Sequence, residues 1–155
     1  MLRKRIGVVF QDLKLLRDRT IFENILFPLE VANVNSRIAK SRVEEIMEQV
    51  GIREHSDKFP IQLSGGELQR AALARALALS PEIILADEPT GNLDNVTSWE
   101  IIKLLQDINK GGTTIIMATH NTDIVNSLLK RVITLEKGKL MKDEKRKKNA
   151  TEDEK

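Results

Sequence analysis

The sequence contains no cysteine and no long hydrophobic run, and its charges nearly balance. Without cysteine there is no disulfide and no cysteine-ligated zinc, which fits a reducing compartment. No apolar stretch approaches the roughly 20 residues that a helix needs to cross a bilayer. The formal net charge is +2, which gives little reason to expect a nucleic-acid partner. These absences favour a cytoplasmic soluble domain that reaches a membrane only through a partner.

The arrangement of apolar runs predicts an α/β fold. A length of 155 residues with 41% hydrophobic content suits one domain with its own core. Strand-like runs at residues 6–10, 83–86 and 113–119 are separated by helical patterns, which is typical of a mainly parallel sheet. We expect the domain to span residues 1–141, with a helical part at about 20–80. Residues 142–155 are charged and lack periodicity, which predicts a disordered tail.

The first motif is Ser64-Gly65-Gly66-Glu67. Taken alone, Ser-x-x-Glu is a common helix capping box, in which the serine and the glutamate satisfy backbone N–H groups. Two consecutive glycines add a second possibility, because they let the backbone approach an anion at the positive end of a helix. The segment therefore predicts both a helix start and a phosphate contact.

The second motif is a pair of carboxylates, Asp87 and Glu88, directly after the apolar run at 83–86. A buried parallel strand delivers such side chains to its carboxyl edge, where open α/β sheets bind their ligands. Strand alternation sends adjacent side chains different ways, so one can serve a metal and the other a water molecule. Asp94 follows shortly, and on its own it reads as the N-cap of a helix beginning near Val96.

Together these motifs resemble those of the ATP-binding-cassette (ABC) ATPases. The resemblance covers Leu-Ser-Gly-Gly-Glu-x-Gln-Arg from Leu63 to Arg70 and Leu-Ala-Asp-Glu-Pro-Thr-Gly-Asn-Leu-Asp from Leu85 to Asp94. It implies a P-loop NTPase core with a mainly parallel sheet and a helical signature subdomain. It also implies ATP and Mg²⁺ as cofactors and a homodimer as the working assembly.

The resemblance implies a role for each residue near the strand ends. Asp87 and Gln11 would hold Mg²⁺, Asp87 through water, and Glu88 would be the general base for the attacking water. His120 would hydrogen-bond the γ-phosphate. The family usually follows that histidine with an acid, whereas this chain has Asn121.

Other residues would act across the dimer. Ser64, Gly65 and Gly66, here called the signature segment, would contact the γ-phosphate of ATP held by the opposing subunit. Asp94 would belong to the D-loop that crosses the dimer interface. Arg70 is expected to be a structural ion-pair residue, and His55 is assigned no role.

One family motif is missing, because no Gly-Lys-Ser/Thr phosphate-binding loop occurs in the 155 residues. We therefore expect an N-terminally truncated fold and no ATPase activity from this chain alone. Two alternatives stay open: a piece of an ordinary ATPase whose loop is encoded upstream of Met1, or a non-catalytic fragment that keeps the family's surfaces.

Within the family the resemblance is closest to the cell-division ATPases, which act on cell-wall hydrolases through an integral membrane protein. Location on the inner face of the plasma membrane would follow, with segment 20–34 near the docking region. ATPases of lipoprotein release and macrolide efflux are alternatives, since they share much of the second motif. Repair ATPases share the Ser-Gly-Gly signature, but they need coiled-coil heptads, which this sequence lacks.

Overall fold

The structure, a computed structural model, describes residues 5–145 and divides into two compact units, Met1–Ala118 and Thr119–Lys155. Within residues 5–118, the first unit contains three strands and four α-helices. Along the chain these are β1 (Ile6–Val9), α1 (Ile21–Val31), α2 (Ser36–Val50), α3 (Gly65–Leu77), β2 (Ile83–Asp87), α4 (Asn95–Lys110) and β3 (Thr114–Ala118).

The three strands form one parallel sheet, as the sequence predicts, and the structure gives their order as β1-β2-β3. Helices α1 to α3 connect β1 to β2, and α4 connects β2 to β3. Because all three strands run the same way, their carboxyl ends meet at one edge of the sheet. That edge is where Asp87 and the residues after β1 are found.

One face of this sheet packs against helices. Gly7 of β1 lies so close to α3 that a Cβ atom there would be 2.5 Å from the carbonyl oxygen of Ala76. Ile84 of the central strand is fully buried. The opposite face carries an apolar row across the three strands, partly exposed in the described residues and formed by Val8, Leu85 and Ile116.

Helices α1, α2 and α3 pack on one another and share an apolar core. Helix α1 begins with a capping box between Thr20 and Glu23, and it continues past Pro28 to Val31. Helix α2 ends at Gly51, whose φ of 72° is the left-handed conformation that glycine adopts without strain. The fully buried side chains of this cluster include Ile21, Ile25, Val43, Ile46 and Leu73.

The second unit contains α5 (Thr122–Leu128) and an antiparallel hairpin of β4 (Arg131–Glu136) and β5 (Lys139–Lys145). The predicted start of a disordered tail at Lys142 is wrong, because β5 pairs with β4 as far as Lys145. A bidentate ion pair between Arg131 and Asp143 adds to this pairing. Composition suggested disorder because cross-strand partners are not visible in it. The remaining tail residues, 146–155, lie outside the described part of the chain.

Candidate functional site

The carboxyl edge of the sheet brings three of the predicted residues to one place. Asp87 is the last residue of β2, Glu88 follows it directly, and Gln11 comes two residues after β1 ends. The register pairs Val9 with Ala86, so the exits of both strands are level. An acid, a second acid and an amide therefore line the edge where ligands of parallel sheets bind.

Glu88 has an unusual backbone conformation, with a φ of 44°. Its N–H donates to the carbonyl of Ala118 at 2.9 Å, and its carbonyl accepts from the N–H of Gly91 at 3.1 Å. A left-handed conformation costs a side-chain-bearing residue roughly 1–3 kcal/mol, and such strain is concentrated at functional sites. These hydrogen bonds hold Glu88 at the turn that leaves the strand.

The signature segment forms the amino-terminal end of α3. Ser64 is the N-cap: its Oγ accepts from the N–H of Glu67 at 3.4 Å, and the Oε2 of Glu67 accepts from the N–H of Ser64 at 2.7 Å. The predicted capping box is therefore present. Ser64 and Gly65 are exposed, so the positive end of the helix is accessible to an anion.

The two glycines of the signature segment pack against the segment that follows the strand-end acids. A Cβ atom on Gly65 would lie 3.1 Å from Cδ2 of Leu93, and one on Gly66 would lie 2.5 Å from Cγ2 of Thr97. Any larger residue at position 66 would therefore push α3 and α4 apart. The glycines have a packing role that the sequence motif does not reveal.

Asp94 is the N-cap of α4, as its local sequence predicts. It accepts hydrogen bonds from the backbone N–H of Thr97 at 3.0 Å and from its hydroxyl at 2.6 Å. The Thr97 hydroxyl first, and then the backbone N–H, hold the pKa of Asp94 below its usual value. Asp94 is exposed, which leaves it available to a second subunit.

Arg75 joins the signature helix to the loop after Gln11, a connection that sequence reasoning missed. Its guanidinium donates to the carbonyl of Lys14 at 2.5 Å and to that of Leu13 at 2.6 Å. Leu13 and Lys14 both have positive φ, 60° and 49°, so this turn is strained. Burial lowers the pKa of Arg75. No sequence pattern predicts a left-handed backbone conformation at two consecutive non-glycine residues such as Leu13 and Lys14.

We expect Arg75→Ala to destabilise the chain by roughly 1.5–3 kcal/mol, since two carbonyls lose a charged donor. Hydrogen exchange of residues 11–16 should accelerate more than that of α2. Urea unfolding and exchange followed by mass spectrometry measure the two effects. Arg37→Ala, which removes an exposed arginine of α2, is the matched control. Equal exchange at residues 11–16 in both variants would show that Arg75 does not hold the loop.

The structure confirms the role predicted for Arg70 and adds a contact for His55. Arg70 donates to the carbonyl of Val50 at 3.0 Å and pairs with Glu100 at 2.9 Å, so its predicted structural role is confirmed. His55, to which the sequence assigned no role, has a buried ring with Nε2 at 2.9 Å from Oε1 of Glu67.

Comparison with known protein families identifies the family to which this chain belongs. The family profile described as ABC transporter matches residues 1–91, which include the signature segment and both strand-end acids. The chain belongs to the ABC transporter family.

Members of this family with curated names include the cell division ATP-binding protein FtsE of Bacillus subtilis (strain 168), which is 51% identical over 144 residues. FtsE of Streptococcus pneumoniae strain D39 is 53% identical over 144 residues. Each alignment covers 93% of this chain and 63% of the relative, so the chain spans less than two thirds of their length.

A solved ABC structure supports the same fold. The dimeric post-hydrolysis state of the ATP-binding cassette MJ0796, bound to ADP and Pi, matches with a TM-score of 0.80 and 36% identity. The match covers 92% of this chain and 64% of that one. The predicted fold, an ABC ATPase core with a parallel sheet and helices, is confirmed.

His120, which the ABC resemblance singles out, lies in the second unit, two residues after β3 along the chain. The neighbouring Asn121, where the family usually has an acid, is the N-cap of α5. Its Oδ1 accepts from the N–H groups of Asp123 and Ile124, both at 3.1 Å. Asparagine and aspartate are about equally good N-caps, so the substitution keeps this local structure.

The strand-end residues offer donors of the kind that a divalent cation takes. Mg²⁺ binds few protein ligands, commonly one or two carboxylates, and completes its shell with water and phosphate oxygens. Asp87 offers an exposed carboxylate, and Gln11 offers an exposed amide oxygen at the same sheet edge. Residues 5–145 contain no group of three or more His, Asp or Glu side chains that would hold a metal without other ligands.

Proposed function

We propose that this chain is part of the ATP-binding, ATP-hydrolysing subunit of an FtsE–FtsX-like complex, which couples ATP turnover to cell division and cell-wall remodelling. The observation that carries the proposal is the 51–53% identity to FtsE proteins over 93% of the chain. In this proposal residues 1–141 belong to one ATPase domain with a helical part at about 20–80.

The proposed chemistry assigns separate tasks to the strand-end residues. Mg²⁺, when bound, supplies charge neutralisation on the phosphates. Asp87 and Gln11 would hold it, and Glu88 would accept the proton of the attacking water. The hydrogen bonds that fix the Glu88 backbone support this assignment, because a general base must be positioned before its pKa matters. His120 would donate a hydrogen bond to the γ-phosphate.

The signature segment would act on the opposing subunit. Ser64, Gly65 and Gly66 present the accessible end of α3 to the γ-phosphate of ATP held there, and Asp94 lies at the homodimer interface. The dimeric form of the solved cassette with ADP and Pi supports this arrangement. The hydrogen bond of Asp94 to Thr97, which packs on Gly66, supports a shared role for the two motifs.

An apolar groove supports an integral membrane partner of the FtsX kind. The groove has a volume of about 580 Å³ and is bounded by β1, α1 and α3, with Phe10, Phe27, Val31 and Leu79 among its lining residues. Phe27 and Val31 are exposed large hydrophobic side chains of α1, within the segment that the sequence associated with docking. A short helix of the partner with one apolar face would fit this groove.

None of the helices in residues 5–145 is both long and apolar enough to cross a bilayer. We propose a place on the cytoplasmic face of the plasma membrane, held by that partner.

A lipoprotein-release or macrolide-efflux ATPase is the alternative that shares the second motif. Co-expression with FtsX of Bacillus subtilis distinguishes the two hypotheses. Only the cell-division hypothesis predicts that membranes containing FtsX retain the chain. Phe27→Asp together with Val31→Asp should abolish that retention, whereas Ile38→Asp, on an exposed side chain of α2, should leave it. Retention that survives the Phe27 and Val31 changes would count against the groove.

We expect the 155-residue chain by itself to show no appreciable ATPase activity. The sequence has no loop to supply the backbone N–H cradle, the lysine and the Mg²⁺-binding hydroxyl. Isothermal titration with MgATP and phosphate-release assays test this. A chimera that places the phosphate-binding loop of Bacillus subtilis FtsE ahead of residue 1 should gain both binding and turnover. Micromolar binding and steady turnover by the chain alone would show the expectation to be wrong, and an inactive but folded chimera would favour the non-catalytic fragment.

A further inference from the structure

A histidine lies behind the signature segment and contacts its capping glutamate. His55 ends the short 3-10 turn Arg53–His55 between α2 and α3, and it is only 8% exposed. Its Nε2 is 2.9 Å from Oε1 of Glu67, which is hydrogen-bond distance. The contact joins a buried titratable ring to the first turn of α3.

The contact continues through Glu67 to Ser64. While Oε1 of Glu67 faces His55, Oε2 accepts from the N–H of Ser64 at 2.7 Å. Hydrogen bonds from Ser64 are the main reason that the pKa of Glu67 is lowered, and the charges of His55 and Lys58 add to them. Glu67 is therefore an anion whose two oxygens are divided between the histidine and the signature segment.

This arrangement sets a charge beside the proposed phosphate contact. The positive end of a helix favours an anion, but Glu67 already supplies one negative charge there. A second anion, the γ-phosphate, would be repelled by Glu67 unless a cation offsets it. A protonated His55 would supply that cation, because its ring is buried against the carboxylate of Glu67.

Other charged groups lie near the His55 ring and its partner Glu67. Glu54 is the second acid near the ring, with its Oε1 at 3.7 Å from Nε2 of His55. The positive charge of Lys58 helps to lower the pKa of Glu67. The Nδ1 atom is buried and has no hydrogen-bond partner among the described residues. Among the described residues, the ring therefore makes its polar contacts through Nε2, on the side of the two acids.

We propose that His55 is a positioning residue for the signature segment: acting through Glu67, its protonation strengthens the contact of Ser64, Gly65 and Gly66 with phosphate. The phosphate part rests on the proposed function of that segment. The coupling of His55 to Ser64 through Glu67 does not, so the two are tested separately.

NMR of the 155-residue chain tests the coupling. The imidazole resonances of His55, distinguished from those of His120 by their loss in His55→Asn, are followed between about pH 5 and pH 8. The amide resonance of Ser64 should move with the same midpoint as the His55 ring. In Glu67→Gln, which keeps the shape of the side chain and removes its charge, the Ser64 amide should no longer follow that midpoint. A Ser64 amide that is insensitive to the His55 titration in the unaltered chain would overturn the proposal.

Association with an ATP-holding subunit tests the phosphate part. The probe is complete Bacillus subtilis FtsE loaded with MgATP, and its affinity for this chain is measured at both ends of the same pH range. Relative to His55→Asn at each pH, the unaltered chain should bind about fivefold tighter at the acidic end and equally at the basic end. Dividing the affinity of the unaltered chain by that of His55→Asn at each pH cancels the titration of ATP and of His120, which are common to both measurements.

Two further variants should both remove the pH dependence, each for a different reason. His55→Arg, which keeps a positive charge at every pH, should bind tightly throughout, and Glu67→Gln should lose the pH dependence. Equal pH dependence in the unaltered chain and His55→Asn would overturn the phosphate part of the proposal. Absence of association for every variant at every pH would instead overturn the proposed function of the signature segment, while the NMR result still decides the coupling.

Discussion

Replacing Glu88 by glutamine in the chimera that carries a phosphate-binding loop is expected to lower kcat for ATP hydrolysis by about 10²–10⁴-fold, the usual contribution of a general base. The amide keeps the size of the side chain and removes its ability to accept a proton. Binding of MgATP should remain, because Asp87 and Gln11 are unchanged. The nucleotide-bound dimer should therefore accumulate, and gel filtration with MgATP measures it alongside the phosphate-release rate.

The control for Glu88 is Glu44→Gln, which neutralises an exposed carboxylate of α2 far along the chain from the strand end. It should change neither kcat nor the dimer population. If Glu88→Gln kept turnover within about tenfold of the unaltered chimera, Glu88 would not be the base. A loss of MgATP binding in Glu88→Gln would also contradict the assignment, because it would point to a role in holding the nucleotide.

A methyl group added at Gly66 is expected to destabilise the first unit by about 1–3 kcal/mol, the usual cost of overpacking. The new Cβ would lie 2.5 Å from Cγ2 of Thr97. Thr97 has little freedom to move, because its hydroxyl donates to Asp94 at 2.6 Å and its side chain is branched at Cβ. The higher helix propensity of alanine offsets at most about 1 kcal/mol of the loss. Urea unfolding of the 155-residue chain measures the change.

Two variants separate steric overlap from other effects of Gly66→Ala. Thr97→Ser removes the Cγ2 atom and keeps the hydroxyl that donates a hydrogen bond to Asp94. Gly66→Ala combined with Thr97→Ser should therefore recover most of the lost stability. Gly65→Ala should cost less than Gly66→Ala, since its Cβ meets only the tip of Leu93 at 3.1 Å, which can rotate away. If Thr97→Ser gave no recovery, the packing of Gly66 on Thr97 would not be the cause.

Local patterns were sufficient for the features that depend on neighbours in sequence. The capping box at Ser64 and the N-cap at Asp94 both follow from side chains within four residues of the backbone groups they satisfy. The parallel order of the strands follows from their apolar composition and the helices between them. The family could be recognised for the same reason, because its two motifs are short and contiguous.

Sequence patterns failed where a residue's partner is distant or where pairing overrides composition. The charged residues 142–145 resemble a tail, yet backbone hydrogen bonds to β4 make them a strand. The deciding interaction, pairing between strands, is geometric and leaves no trace in composition.

The sequence by itself determined the family, the parallel α/β core and the order of the motifs, because each depends on residue type and spacing within short segments. Only the tertiary structure decided that Gly66 packs on Thr97, that Arg75 holds the turn after Gln11, and that His55 reaches the signature segment through Glu67. The chain separations in these three contacts, from 12 residues for His55 and Glu67 to more than 60 for Arg75 and Leu13, exceed the reach of any local pattern. Such contacts arise from how α3 packs against its neighbours, and packing depends on the shape of the whole core.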